Sequence, residues 1–244
     1  MIPKIINYCW FGKKEIPQIL KKYIKTWKKF CPEYEIKLWT EENFDINENV
    51  FLKEAYNEKK WAFVSDYARL KIIYENGGIY LDTDVELVKN LDQLLNNKAF
   101  FAIQQNGAYI NTGLCFGAEK GCDIIKELMN DYENIDFKSV DKEKIACPLI
   151  NTKVFEKHGY CRENKLQIID DYIKIYPSEF FDPICPDTTN NLISNNTISI
   201  HHYTASWLSR KKQIKRKISI FLGQKNVNFI KKFLKKIKDR SSKF

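Results

Sequence analysis

The sequence has no run of about 18 apolar residues, so no segment of it reads as a membrane-spanning helix. It has seven cysteines, an odd number, scattered at 9, 31, 115, 122, 147, 161 and 185 with no C-x-x-C pair. That spacing excludes a disulfide scaffold and a zinc knuckle and points to a reducing compartment. No G-x-x-x-x-G-K occurs, which removes a Walker-type phosphate loop. Its nine glycines and seven prolines never gather into a linker or a repeat. The first residues, Met1-Ile2-Pro3-Lys4-Ile5, run straight into strand-like sequence, without the charged and apolar regions of a secretion signal. Histidine is scarce: of three in the chain, two are neighbours, His201 and His202.

Apolar residues make up 44% of the 244 residues and aromatics 14%, enough for one full core. The net charge of +9 is a local property. Residues 208–244 hold 14 Lys and Arg against one acid, Asp239, for +13, and residues 1–207 sum to −4. The body is slightly acidic and the basicity belongs to a tail. Within the tail, Phe229, Ile230, Phe233, Leu234 and Ile237 recur at three- and four-residue spacing, with lysines between them. Such spacing predicts a basic amphipathic helix suited to an anionic membrane surface. Two domains are therefore expected, a catalytic body at 1–207 and a membrane-associating tail at 208–244.

Along the body, period-two apolar runs alternate with helical spacing. Strands are predicted at 5–11, 34–39, 79–82, 85–88, 99–104, 112–117, 166–169, 172–176 and 197–202. Helices are predicted from Pro17 to Phe30 and near 47–57, 62–76, 122–132 and 148–158. Strands alternating with helices imply an α/β sheet.

The segment Gly77-Gly78-Ile79-Tyr80-Leu81-Asp82-Thr83-Asp84 carries the most information. A glycine turn feeds a short apolar strand that ends on two carboxylates. Chance alone gives about 0.8 Asp-x-Asp matches in a chain of this composition, so the context is the signal. Carboxylates at the mouth of a rigid sheet suit Mg²⁺ or Mn²⁺ bound together with substrate phosphates. On the preceding helix, Asp66 and Arg69 share a face of an otherwise apolar and aromatic segment. An ion pair kept on a buried helix points to a site, whereas on the surface it would contribute little. His201 and His202 follow a strand, and neutral imidazole suits the same metals. Neighbouring strand residues face opposite ways, so one of the two would join the carboxylates. Trp10 ends the first strand, where an aromatic ring can stack a nucleobase. Asn111-Thr112-Gly113 offers polar groups for sugar hydroxyls.

Four segments in order, 2–12, Ser65-Asp66-Tyr67-Ala68-Arg69, 77–84 and His201-His202 through Ser206-Trp207, resemble the bacterial capsule and surface-polysaccharide glycosyltransferases of family 32. These share an Asp-x-Asp signature with yeast initiating mannosyltransferases. The first three segments also resemble the core of the large glucosylating bacterial toxins. The resemblance implies a GT-A fold (a Rossmann-like nucleotide-diphospho-sugar transferase), a retaining mechanism and a Mn²⁺-dependent nucleoside-diphosphate sugar donor. It implies that Trp10 stacks a uracil, that Asp66 and Arg69 hold the donor sugar, and that Tyr80 lines the nucleotide pocket. Asp82 would contact the ribose and the metal shell, Asp84 would ligate Mn²⁺, His202 or His201 would ligate it from the opposite side, and Ser206-Trp207 would close over the diphosphate. The pattern His202-Tyr203-Thr204 favours His202. One departure is Asn7, where members often carry His.

The expected activity is transfer of a sugar from a nucleoside-diphosphate sugar, UDP-sugar foremost, with Mn²⁺ or Mg²⁺. The expected acceptor is a lipid-linked surface saccharide at the inner face of the cell membrane. A front-side and a nucleophilic route both remain open. Two rival classes are a basic-tailed nucleic-acid-binding protein, which the acidic body opposes, and a Mg²⁺-dependent phosphotransferase or hydrolase built on Asp82 and Asp84.

Overall fold

A computed structural model of the chain describes residues 1–186, 188 and 190–204. The order is β1 (Ile5–Cys9), α1 (Gln18–Phe30), β2 (Glu35–Trp39), α2 (Val50–Asn57), α3 (Trp61–Asn76), β3 (Gly78–Tyr80), β4 (Val85–Leu87), β5 (Ala99–Ala102) and β6 (Phe116–Ala118). There follow α4 (Asp123–Glu133), α5 (Cys147–Lys157), β7 (Gln167–Ile169), β8 (Ile173–Tyr176), α6 (Ser178–Phe181) and β9 (Ser199–His201). Seven strands form one sheet in the order β2-β1-β3-β6-β5-β8-β7. The pairs β1–β2, β1–β3 and β5–β8 are parallel, while β6 runs antiparallel to both neighbours and β7 to β8.

Successive side chains on a strand face opposite sides, so a central strand feeds two cores. On β5, Ala99 and Phe101 join one cluster and Phe100 and Ala102 the other. The first cluster takes residues of α2, α3, α4 and α5, among them Phe51, Tyr67, Leu128 and Phe155. The second takes Trp27 of α1 and Phe181 of α6. The sheet is thus covered on both faces, the arrangement of a layered α/β domain.

Three details place the strand ends. Gly77 (φ 69°) and Gly78 (φ 103°) turn α3 into β3, and a side chain at Gly78 would meet the Ile5 carbonyl at 2.8 Å. Beside them, β1 and β3 run parallel with Asn7 level with Tyr80, so Trp10 and Asp82 emerge at the same edge of the sheet. On α1, the fully buried Trp27 donates from Nε1 to the Val85 carbonyl at 2.8 Å, and Thr26 Oγ1 accepts from Leu87 N at 2.9 Å. The helix thereby pins β4, the strand that carries the chain away from Asp84.

Two expectations are corrected. The last strand does not join the main sheet: β9 pairs antiparallel with β4 in a separate two-stranded ribbon, with Val85 opposite His201. The predicted strand at 112–117 begins only at Phe116, because Asn111 Oδ1 accepts from Gly113 N at 2.8 Å. That local side-chain bond closes a turn and competes with the ladder. The tail at 208–244 and its amphipathic pattern lie outside the described residues, as do Ser206 and Trp207.

Candidate active site

Asp82 lies two residues beyond β3 and Asp84 one residue before β4. The Val85 amide donates to the Asp82 carbonyl at 3.0 Å, which closes the turn between them. His201, the last residue of β9, sits across the ribbon. One ligand atom from each of Asp82, Asp84 and His201 can be chosen so that all lie within 4.8 Å of one another.

Each carboxylate has its own set of holders. Asp84 Oδ1 lies 3.1 Å from His201 Nε2. Its Oδ2 accepts from Thr204 N at 2.8 Å and Thr204 Oγ1 at 3.1 Å. Burial pushes the Asp84 carboxyl up, but His201 and the Thr204 donors outweigh it and hold the group well below the ordinary carboxylate range. Asp82 Oδ1 accepts from Arg69 Nη2 at 3.2 Å and from the Tyr80 hydroxyl at 3.1 Å. The same Arg69 nitrogen lies 3.2 Å from Asp66 Oδ1. Arg69 is 4% exposed, donates from Nε to the Ser65 carbonyl at 3.1 Å and rests over the Tyr80 ring, 5.1 Å from its centroid.

One buried cation between a buried carboxylate, Asp66, and a half-buried one, Asp82, leaves an imbalance. Burial lifts Asp66 to about 7 against the pull of Arg69, with the Asp82 charge adding to the rise. Asp82 is raised chiefly by burial as well. Burial alone would lower Arg69, yet Asp82 and Asp66 keep it charged. With His201 neutral and Asp66 ionised, as it is above pH 7, three carboxylates against one guanidinium leave two negative charges. A divalent cation would balance them. Two carboxylates and an imidazole form a donor set suited to Mn²⁺ and its neighbours. The buried His201 Nδ1 has no hydrogen-bond partner among the described residues. The residues present therefore fit a divalent metal.

The geometry orders the two histidines opposite to the sequence pattern. His201 faces the carboxylates, whereas His202 turns to the other side of the ribbon. There its Nε2 lies 2.8 Å from Glu86 Oε2, and its ring stacks on Tyr23 of α1 at 4.1 Å. The alternation of strand side chains is the cause. Tyr80 is also reassigned. At 1% exposure its ring is sealed in the core, so it braces Asp82 and offers no wall to a nucleotide. Trp10 stands half-buried at the same sheet edge, its Nε1 donating to the Lys14 carbonyl at 2.5 Å. Asn7, the departure from the family pattern, is a core bridge. Its Oδ1 accepts from Trp39 Nε1 at 2.9 Å and its Nδ2 donates to the Gly77 carbonyl at 3.4 Å.

The turn at 111–113 closes against the charged group. Asn111 donates from Nδ2 to Gln104 Oε1 at 3.1 Å. A side chain at Gly113 would meet Asp82 Oδ2 at 2.7 Å and Arg69 Nη1 at 3.1 Å, so only glycine lets this backbone approach. Sequence reading missed Cys147, which opens α5 beneath Arg69. Its thiol lies 3.1 Å from Thr112 Oγ1 and 3.2 Å from Asn151 Nδ2, and burial pushes it up to about 11, too high for a reactive thiolate. In the sequence Thr204 stands only as the end of the His202-Tyr203-Thr204 pattern, which carries no sign of its grip on Asp84.

Residues 17–101 match the family described as "Glycosyltransferase sugar-binding region containing DXD motif". An uncharacterized glycosyltransferase of Acanthamoeba polyphaga mimivirus is 36% identical over 107 residues, 41% of this chain and 43% of that protein. Inositol phosphoceramide mannosyltransferase 3 of Schizosaccharomyces pombe is 35% identical over 103 residues, 41% of this chain and 29% of that protein. The chain spans less than half the length of these relatives. Among solved structures, the PaToxG glycosyltransferase superposes with a TM-score of 0.52 at 20% identity, over 64% of this chain and 69% of that one. A glycosyltransferase involved in glycosylation of the major capsid of PBCV-1 does so with a TM-score of 0.50 at 14% identity, over 88% and 98%. The chain resembles the DXD glycosyltransferases in sequence, and its fold is GT-A.

Proposed function

We propose that the chain is a metal-dependent glycosyltransferase. It would move a sugar from a nucleoside-diphosphate sugar, UDP-sugar foremost, to a saccharide acceptor. The observation that carries this reading is the convergence of Asp82, Asp84 and His201 at the mouth of a GT-A sheet, beside a buried Arg69. Asp82, Asp84 and His201 would hold Mn²⁺ or Mg²⁺, which when bound supplies charge stabilisation to a diphosphate leaving group.

The chain's own residues do the positioning. Thr204 fixes one oxygen of Asp84 with two donors, leaving the other toward His201. Arg69 stays cationic and orients both Asp66 and Asp82. Its fixed charge, together with Asp66 and Asn111, suits the hydroxyls of a donor sugar. Trp10, half-buried at the same edge, suits a stacked uracil. The sealed core beneath Tyr80 keeps water from the inner side of the carboxylates.

Retention of configuration, a lipid-linked acceptor and a position at the inner face of the cell membrane are further parts of this reading. The family resemblance supports the first. The basic amphipathic pattern of 208–244 supports the other two, since a tail at an anionic surface raises the effective concentration of a lipid-borne acceptor. A relative named for mannosyl transfer to inositol phosphoceramide adds mannose to the donors worth testing.

The test is release of nucleoside diphosphate from UDP- and GDP-sugars by the full chain with Mn²⁺ and with EDTA. Turnover should need the metal, and Asp84→Ala should lower it by about 10²–10³ or more, the scale of a lost electrostatic stabiliser. Undiminished turnover by Asp84→Ala would refute the assignment.

A further inference from the structure

Asp84 is gripped by three residues of the segment 201–204. His202 N donates to its carbonyl at 3.0 Å, His201 Nε2 lies 3.1 Å from Oδ1, and Thr204 N and Oγ1 donate to Oδ2 at 2.8 and 3.1 Å. A strand leaving β9 in extended form would carry Thr204 away from Asp84. The chain instead reverses at Tyr203, whose φ of 48° lies in the left-handed region. A bulky residue rarely adopts that conformation without help from its surroundings.

The help is on the far side of the ring. The Tyr203 hydroxyl donates to Asp182 Oδ2 at 2.8 Å, and the same oxygen accepts from Gln105 N at 2.7 Å. Asp182 is fully buried and follows α6, with its own amide donating to the Ser178 carbonyl at 2.7 Å. Gln105 lies three residues beyond β5. Asp182 is thus tied to two elements packed on the main sheet. The Tyr203 ring also meets the His201 ring edge-on at 4.1 Å.

We infer that Tyr203 and Asp182 form a positioning lock that holds His201 and Thr204 on Asp84 and so presets the metal-binding cluster. Neither residue is a ligand. Tyr203 acts through the backbone bend and through the His201 ring, and Asp182 acts through Tyr203. The lock ties the short β4–β9 ribbon, which lies outside the main sheet, to the rigid sheet at the one point where the cluster needs it. The inference rests on the metal-dependent reading above.

The test is titration of the metal-stripped full chain with Mn²⁺ alone, read by the electron-spin signal of free Mn²⁺. Tyr203→Phe keeps the ring and its packing but loses the bond to Asp182. It should weaken Mn²⁺ binding by about tenfold, the scale of one hydrogen bond to a charged group. Asp182→Ala should weaken it by a similar factor, and the double variant should be no weaker than the weaker single one, because both remove the same link. Tyr203→Phe that folds and binds Mn²⁺ as tightly as the parent chain overturns the lock. A parent chain that binds no Mn²⁺ overturns the metal reading itself and the lock with it, and that outcome is seen before any variant is made.

Discussion

Replacing Arg69 by Met in metal-free protein isolates the charge balance at the heart of the site. Methionine keeps most of the length and the apolar stem of arginine. It removes the nitrogen that lies 3.2 Å from both Asp66 and Asp82, and the bond to the Ser65 carbonyl. The buried Asp66 would be left without its cation, and the half-buried Asp82 would lose its nearest one. Breaking a buried pair in this way costs about 3–5 kcal/mol, against about 0–1 kcal/mol for a surface bridge. For a domain of this size each kcal/mol shifts the melting temperature by about 2–4 °C, so a fall of roughly 6–20 °C is expected. The loss must also depend on pH. Asp66 already stands at about 7, above its unfolded value, and without Arg69 both carboxylates rise further. The folded variant then binds more protons than the unfolded chain from about pH 4 upward through 7, so its stability falls as pH rises. Thermal denaturation followed by circular dichroism in EDTA at pH 5 and pH 8 should show the gap to the parent chain widening at pH 8. A gap below about 2 °C, the surface-bridge scale, or one equal at both pH values would refute the reasoning. Arg69→Lys should fall between the two, since it keeps the charge and loses the planar fork.

Two other expectations follow from the geometry. His201→Ala should weaken Mn²⁺ binding more than His202→Ala, because His201 faces Asp84 and His202 faces Glu86; equal affinities in a direct titration would contradict this. His158 has Nε2 at 2.9 Å from Glu127 and Nδ1 at 2.6 Å from Asp170, and the bond to Glu127 first, with Asp170, raises it against burial. A raised histidine contributes stability in full below its unfolded value near 6.5 and loses it as pH climbs through the folded one. His158→Gln should therefore lower the melting temperature at pH 6 and have little effect at pH 9, and a gap independent of pH would count against the charged clasp.

The parts of the site legible in the sequence are those fixed by local chemistry. Apolar spacing on α3 put Asp66 and Arg69 on one helix face, and they do share a charge there. Gly77-Gly78 announced a turn, and both glycines hold the positive φ that a tight helix-to-strand connection needs. Choices made by long-range pairing were not legible. Ser199-Ile200-His201 reads as a strand, but its partner is β4, set 112 or more residues earlier in the chain, and three residues of sequence do not reveal which edge they will meet. The order of His201 and His202 hangs on that register, since a slip of one residue exchanges their faces. Asn111-Thr112-Gly113 looks extended until the Asn side chain bonds to the Gly113 amide and bends it. The family resemblance makes Tyr80 a pocket aromatic, and nothing local in the sequence opposes it, because its burial depends on β6 and Phe116 packing against it, 36 residues away.

The two acids of the motif, one residue apart, belong to different supports. Asp82 is held by Arg69 and Tyr80, groups of α3 and β3 that are part of the main sheet and its covering layer. Asp84 is held by His201 and Thr204, which belong to the ribbon and the turn after it. Thr83 is the single residue between them in sequence. The spacing in Asp-x-Asp is then more than a pair of acids on one strand: it sets one carboxylate on a rigid frame and the other on a smaller element. That element is a ribbon of two three-residue strands, too short to be stable alone. It is fixed from behind by Trp27 and Thr26 of α1 and at its end by Tyr203 on Asp182. A cation shared by Asp82, Asp84 and His201 would bridge frame and ribbon. Under the metal-dependent reading, metal binding and the order of the ribbon would therefore be coupled in both directions, since whatever favours one must favour the other.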